Sequence, residues 1–239
     1  MTDFVIHRAN SRGHADHGWL NAHHTFSFAG YYDPQRIHFG VLRVLNDDLV
    51  APEMGFGTHP HDNMEIITIP LKGQLRHRDS MGNTSVIMAN EIQVMSAGTG
   101  IQHSEFNSSD SETLNLLQIW VFPKVKGVTP RYQQIALNPA ARHNTLQQVL
   151  SPNPDDEGVW IYQDAWFHLG TFDNEFESTY QLKKAGNGIY IFVIKGEFTI
   201  NNQLLGERDG MGIQNTSDLQ IKANTQDAEI LIMEVPMHL

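Results

Sequence analysis

A pattern that occurs twice limits what this chain can fold into more than any other feature: ITIPLKGQLRH, from Ile67, has its counterpart in IFVIKGEFTIN, from Ile191. In each copy an apolar run ends at a Lys-Gly turn, Lys72-Gly73 or Lys195-Gly196, and a second strand begins at once. Further turns follow at Gly82-Asn83 and Asn201-Asn202. Short apolar runs cut by glycine and asparagine are the mark of hairpins, so the pattern predicts an all-β protein. Repetition at this spacing points to an internal duplication of one barrel. LNLLQIWVFP closes the first copy as a strand buried on both faces would. KVKGVTPRYQQ places Lys, Gly and Pro together and marks the boundary, giving units 1–128 and 129–239. A chain of 239 residues is long enough to bury a core in two such units.

The remaining segments read more simply. Residues 4–9 form a short strand, and SRGHADHGWLNAHHTFSFAGYYDP supplies turn residues around aromatic anchors. FGVLRVLNDDLV reads as a strand followed by a turn at Asn46-Asp47-Asp48. ALNPAARHNTLQQVL holds at most one or two helical turns.

Two stretches carry chemistry: His59-Pro60-His61 in GFGTHPHDNMEII, and His103-Ser104-Glu105 in SAGTGIQHSEFN. On a strand, residues i and i+2 project to the same side, roughly 7 Å apart. Each stretch therefore offers a pair of metal-binding groups. Three imidazoles and one carboxylate converging in a barrel suit a first-row transition metal and leave coordination positions open, whereas calcium requires more oxygens. A lone H-x-H often only packs; two such pairs, each beside glycine turns, form a far more specific pattern. The chain has no cysteine, which excludes disulfides, thiolate ligands and cysteine nucleophiles together. His14, His17, His23 and His24 lack the spacing of a strand pair and read as surface and packing residues. The second copy has no H-x-H, only His143, His168 and His238, so its barrel is expected to be metal-free.

Lys+Arg 16 against Asp+Glu 27 leaves a net charge of -11, which argues against direct contact with nucleic acid. MTDFVIHRANSRGH lacks the apolar run of a leader, and no stretch is long enough to span a bilayer. The expectation is a cytoplasmic protein with no membrane partner.

Gly55, His59, His61, Glu65 and Gly73 stand in the order of the first cupin motif, and Gly100, His103 and Asn107 resemble the second. Three departures stand out: the glycine before the first His pair is closer than usual, an extra residue separates Glu65 from Gly73, and Gly98 stands where many cupins have Pro. With RGHADHGWLNAHHTFSFAGYYDP, FGTHPHDNMEI, DSMGN and MSAGTGIQHSE, these features resemble the pirin family of bicupins, in its bacterial quercetin 2,3-dioxygenase-like branch. The likeness is dense over roughly residues 5–135 and rests beyond on the duplication and the loss of ligands.

The resemblance implies two cupin (jelly-roll) β-barrels in tandem, the N-terminal one metal-binding and the C-terminal one degenerate. It implies one divalent transition metal, Fe(II) foremost, with Ni, Cu, Mn, Co and Zn also compatible, on His59, His61, His103 and Glu105. Glu65 is the competing carboxylate, because many cupins use it and its even spacing from His61 does not exclude it. Its other role would be to orient a ligand imidazole. The implied reaction is cleavage of a flavonol such as quercetin by O2 with release of carbon monoxide, Glu105 serving as ligand and as base toward the 3-hydroxyl. Such a substrate wants an apolar pocket; Phe56, Met64, Met95 and Phe106 are near enough in sequence, though plain barrel core is the simpler reading for any one of them. A second reading is a metal- or redox-dependent regulatory protein that binds a transcription factor or a metabolic enzyme. Cupin isomerases and oxalate-type decarboxylases are a third, disfavoured because the charged residues that the motifs would offer a small anionic substrate are the carboxylates Glu65 and Glu105. The family likeness suggests a monomer.

Overall fold

Strand follows strand through the computed structural model, which describes residues 3–239; its only helical segments are the 3₁₀ turns Ala9–Ser11 and Pro139–Arg142. The first strands are β1 (Asp3–His7), β2 (Gly13–Asp16), β3 (Leu20–His24), β4 (Leu42–Val50), β5 (Gly55–His61) and β6 (Glu65–Lys72). There follow β7 (Gln74–Asp79), β8 (Thr84–Met88), β9 (Glu91–Ser96), β10 (Ile101–Asn107), β11 (Leu114–Val121) and β12 (Arg131–Ala136). The second half holds β13 (Gln147–Ser151), β14 (Val159–Trp160), β15 (Trp166–Phe172), β16 (Glu177–Gln181) and β17 (Asn187–Lys195). It ends with β18 (Phe198–Ile200), β19 (Gln203–Leu205), β20 (Gly210–Gln214), β21 (Asp218–Ala223) and β22 (Ala228–Pro236).

These strands make the same object twice, a seven-stranded sheet facing a four-stranded one. In front, β12-β9-β6-β11-β4-β3-β2 faces β5-β10-β7-β8; behind, β1-β20-β17-β22-β15-β13-β14 faces β16-β21-β18-β19. Each pair is a jelly-roll barrel. The two Lys-Gly turns do equivalent work, carrying the chain from large sheet to small, β6 to β7 and β17 to β18. Gly73 and Gly196 take φ of 82° and 78° there, a left-handed conformation that costs glycine little. The halves also exchange strands: β1 pairs with β20 and β12 with β9. Strand pairing therefore crosses residue 128 in both directions.

The large sheets lie back to back. Ile67, Ile69, Leu117 and Ile119 meet Phe167, Tyr190, Phe192 and Met233 in a single buried cluster. The other face of the rear large sheet fills its own barrel with Ile189, Ile191, Met211, Ile230 and Ile232, packed with Phe198 of the small sheet. This double burial explains why LNLLQIWV and GIYIFVIK are apolar almost throughout. The front barrel is built differently. Its apolar residues divide into one cluster around Leu75, Ile87 and Leu116 and another around Ile66, Met95 and Ile101. Between them the inner faces carry polar side chains, among them Thr68, Gln118 and Asn46.

Two local expectations are overturned. Residues 13–24, read as turn residues around aromatic anchors, form the β2–β3 hairpin, turning at Gly18, whose N–H donates to Asp16 Oδ1. Asn46-Asp47-Asp48 is no turn but the buried middle of β4. Tertiary partners override its turn composition: His24 Nδ1 bonds Asn46 at 2.9 Å, and Asn115 Nδ2 and Arg12 bond Asp47 at 2.9 and 3.2 Å. No helix among the described residues is long and apolar enough to cross a membrane.

Candidate metal centre

The site is assembled by three adjacent strands of the front small sheet. On β10, His103 lies directly opposite His59 of β5 and Asp79 of β7, while Glu105 lies opposite His77 of β7. Residues opposite one another in a ladder share a face, so both predicted pairs point inward with His77 and Asp79. Between His103 and Glu105 the register with β5 shifts, His59 and Phe56 being the partners. This bulge brings Phe56, instead of Gly57, beside Glu105. Gly55 lets the strands approach: a Cβ there would stand 2.1 Å from the carbonyl oxygen of Glu105.

His59, His61 and His103 present ligand atoms within 4.8 Å of one another. The Nε2 atoms of His61 and His103 face each other at 3.0 Å. His59 donates its Nδ1–H to the carbonyl of Gly57 at 2.8 Å, which fixes its tautomer and leaves Nε2 free to ligate. Burial, reinforced by His103 and His59, lowers His61 to about 4. Burial, with His59 and His77, lowers His103 to about 3. Both are neutral near pH 7, the form that binds a metal. Three convergent imidazoles, two with their Nε2 atoms facing at hydrogen-bond distance, fit a cation of the first transition row.

Glu105 belongs to a second group, with His77 and His103, again within 4.8 Å; the two groups share His103. The Glu105 carboxylate is buried and accepts from Gln118 Nε2 at 2.9 Å, and Thr68 Oγ1 in turn donates to Gln118 Oε1 at 3.1 Å. His77 escaped the sequence reading. Its Nε2 lies 3.2 Å from Asp79 Oδ2, and Asp79 is held by Asn83 Nδ2 at 2.8 Å. The Nδ1 atoms of His77 and His103 are both buried without a hydrogen-bond partner. The one available signal was alternation in QLRHRD, where exposed Arg76 and Arg78 flank an inward His77.

Glu65 faces elsewhere. It pairs in register with Ser96 and Val121, accepts from Ser96 Oγ at 2.6 Å, and sits on the side of β6 that meets the rear barrel. Burial raises it to about 7 against the pull of Ser96 and Arg131. Parity counted from His61 fails because β5 and β6 belong to different sheets. Nor does Glu65 orient an imidazole, since its side-chain bond goes to Ser96.

A cavity of about 680 Å³ opens where the β2–β3 hairpin faces β5. Trp19, Phe28, Tyr31 and Phe56 line it, together with His24. Phe28 packs edge-on against Trp120 at 5.3 Å, and Trp120 against His61 at 4.9 Å, so the aromatic wall reaches the imidazoles. Of the four apolar residues expected near the ligands, only Phe56 lines this space. Met64 and Met95 pack in the core, and Phe106 lies under the Arg76 guanidinium. His14 and His23 stack across the β2–β3 ladder at 4.6 Å, while adjacent His24 turns inward, as its neighbour's opposite facing requires.

Comparison with known proteins places this geometry in context. Residues 5–121 match the family described as Pirin, and residues 148–235 the one described as quercetinase C-terminal cupin domain. Quercetin 2,3-dioxygenase of Escherichia coli K12 is 44% identical over 231 residues, covering 97% of this chain and 98% of that protein. A pirin-like protein of Caulobacter vibrioides is 40% identical over 93% of this chain and 95% of its own length. The crystal structure of YhhW from E. coli superposes with a TM-score of 0.94 at 43% identity, covering 99% of this chain and 100% of that one. Bacterial pirin YhhW in complex with nickel(II), also from E. coli, gives 0.92 at 43% identity over 98% and 99% of the two chains.

Proposed function

The chain belongs to the pirin family, and from that premise we propose that it is a metal-dependent dioxygenase that cleaves a flavonol such as quercetin with O2. The observation that carries this reading is the cluster of converging imidazoles, joined through Trp120 and Phe28 to a cavity walled by aromatic rings. We assign His59, His61, His103 and Glu105 as ligands of one divalent cation and Fe(II) as that cation. The nickel(II) complex of YhhW supports a divalent ion in a protein of this fold. A cation held there would supply a Lewis-acidic centre that lowers the pKa of the flavonol 3-hydroxyl.

The chain's own residues do the rest. Glu105 receives the 3-hydroxyl proton; Gln118, donating to its Oε2, holds the carboxylate in place. Phe28, Trp19 and Phe56 offer apolar faces to a flat ring system and keep water from it. Asp79, bonded to His77, steadies the ring that lies beside His103. Ring cleavage then incorporates both oxygen atoms of O2 and releases carbon monoxide.

Anaerobic metal-loaded protein mixed with quercetin tests the proposal. Flavonol absorbance is expected to persist until oxygen is admitted and then to fall as carbon monoxide forms. Bound quercetin that survives oxygen overturns the enzymatic reading and favours a regulatory role.

A further inference from the structure

One buried carboxyl has no part in the chemistry so far described. Asp48 is 4% exposed, and its Oδ1 has no hydrogen-bond partner. Its neighbour Asp47, on the opposite face of β4, is bonded by Arg12, Asn115 and Arg208. Buried polar atoms of native proteins are rarely left so, and an orphan calls for a ligand, a water or a role in the site.

The ladder shows where Asp48 points. It lies opposite Leu116 of β11 and Ala22 of β3, and Ala22 lies opposite Ala15 of β2. All four therefore share the inner face of the front sheet. Ala22 and Ala15 line the 680 Å³ cavity and offer only methyl groups, so the positions directly across from the carboxyl on β3 and β2 are small, with Leu20 and His24 to either side. Burial, with Asp47 and Glu105 adding to it, pushes Asp48 up to about 8. A neutral carboxyl can both donate from its O–H and accept at its C=O.

We propose that Asp48 is a specificity-determining residue, hydrogen-bonding a hydroxyl of a polyhydroxylated aromatic substrate at a point remote from the metal-binding 3-hydroxyl. The inference rests on the dioxygenase reading and deepens it. A mostly apolar cavity takes its orientation from few polar groups, and a site built to bind a hydroxyl rejects analogues that lack it.

The test compares quercetin with 3-hydroxyflavone, which keeps the 3-hydroxyl and has no other. The ratio of their kcat/KM values is measured for the metal-loaded wild type, Asp48→Leu and Asp48→Asn. Asp48→Leu is expected to lower the ratio by about ten-fold or more, through KM for quercetin, while Asp48→Asn, which still donates and accepts, keeps most of it. Ala22→Leu, which leaves the carboxyl in place and fills the space before it, is expected to lower the ratio as well and carries the test should Asp48→Leu not fold. Equal losses on both flavonols, or an unchanged ratio in an active enzyme, overturn the role of Asp48 alone. A wild type inert toward both overturns the dioxygenase reading and this inference with it.

Discussion

His61 and His103 hold their Nε2 atoms 3.0 Å apart with neither protonated near neutrality, an arrangement that makes sense around a cation. Which carboxylate completes the set can be decided by two conservative changes. Glu105→Gln is expected to lower metal content on purification and to reduce turnover by about 10²–10⁴-fold, the usual worth of a positioned base. Glu65→Gln, on the side of β6 that faces the rear barrel, is expected to leave metal stoichiometry unaltered. Elemental analysis of both proteins checks this, and full occupancy in Glu105→Gln would reassign the ligand. His77→Phe, which removes the ring beside His103, should weaken metal binding by about 10–100-fold, measured by competition with a chelator. The ligand pairs were legible because i and i+2 on one strand need no knowledge of the fold. His77 was not, because its importance comes from β7 lying next to β10, a long-range pairing that no local spacing records.

Strands show the same division between local and distant information. The Lys-Gly turns could be read because a left-handed residue at a sheet crossing demands glycine wherever the chain goes next. Asn46-Asp47-Asp48 was misread because its composition is that of a turn, while the groups that hold it in a strand come from residues as distant as Arg12, Asn115 and Arg208. The Arg12 side chain is 5% exposed and shares Asp47 with Arg208. Asp47→Ala would leave a buried guanidinium without its anion, a loss of about 3 kcal/mol. The urea midpoint of the variant should fall accordingly, with no change in metal content, since Asp47 faces away from the barrel interior. A midpoint equal to the wild type would mean that β4 is held by its ladder and its apolar residues alone.

Across the whole molecule, the duplication was visible in two similar strings, but the way the copies join was not. The joint depends on the backs of two large sheets and on the exchange of β1 and β12, contacts between residues far apart in the chain. His7, at the end of β1, is buried in this joint, its Nδ1 2.8 Å from the hydroxyl of Tyr190. Burial, with Arg36 adding to it, lowers His7 to about 4. In the rear barrel, burial and then Lys183 lower His168 to about 3. Both folded-state values lie below 6.5, so the unfolded chain takes up these protons first as pH falls. The stability these two histidines contribute is therefore present above pH 6.5 and is lost progressively toward pH 4, by up to about 1.4 kcal/mol per pH unit for each group. Because the shared core ties the barrels together, the loss should appear as one cooperative transition. Urea midpoints of the metal-free protein at pH 7.5, 6 and 5 measure it, and His7→Gln, which has no proton to take up in this range, should show a shallower fall. A fall as steep as that of the wild type would mean that acid opens the molecule elsewhere than at the β1 joint.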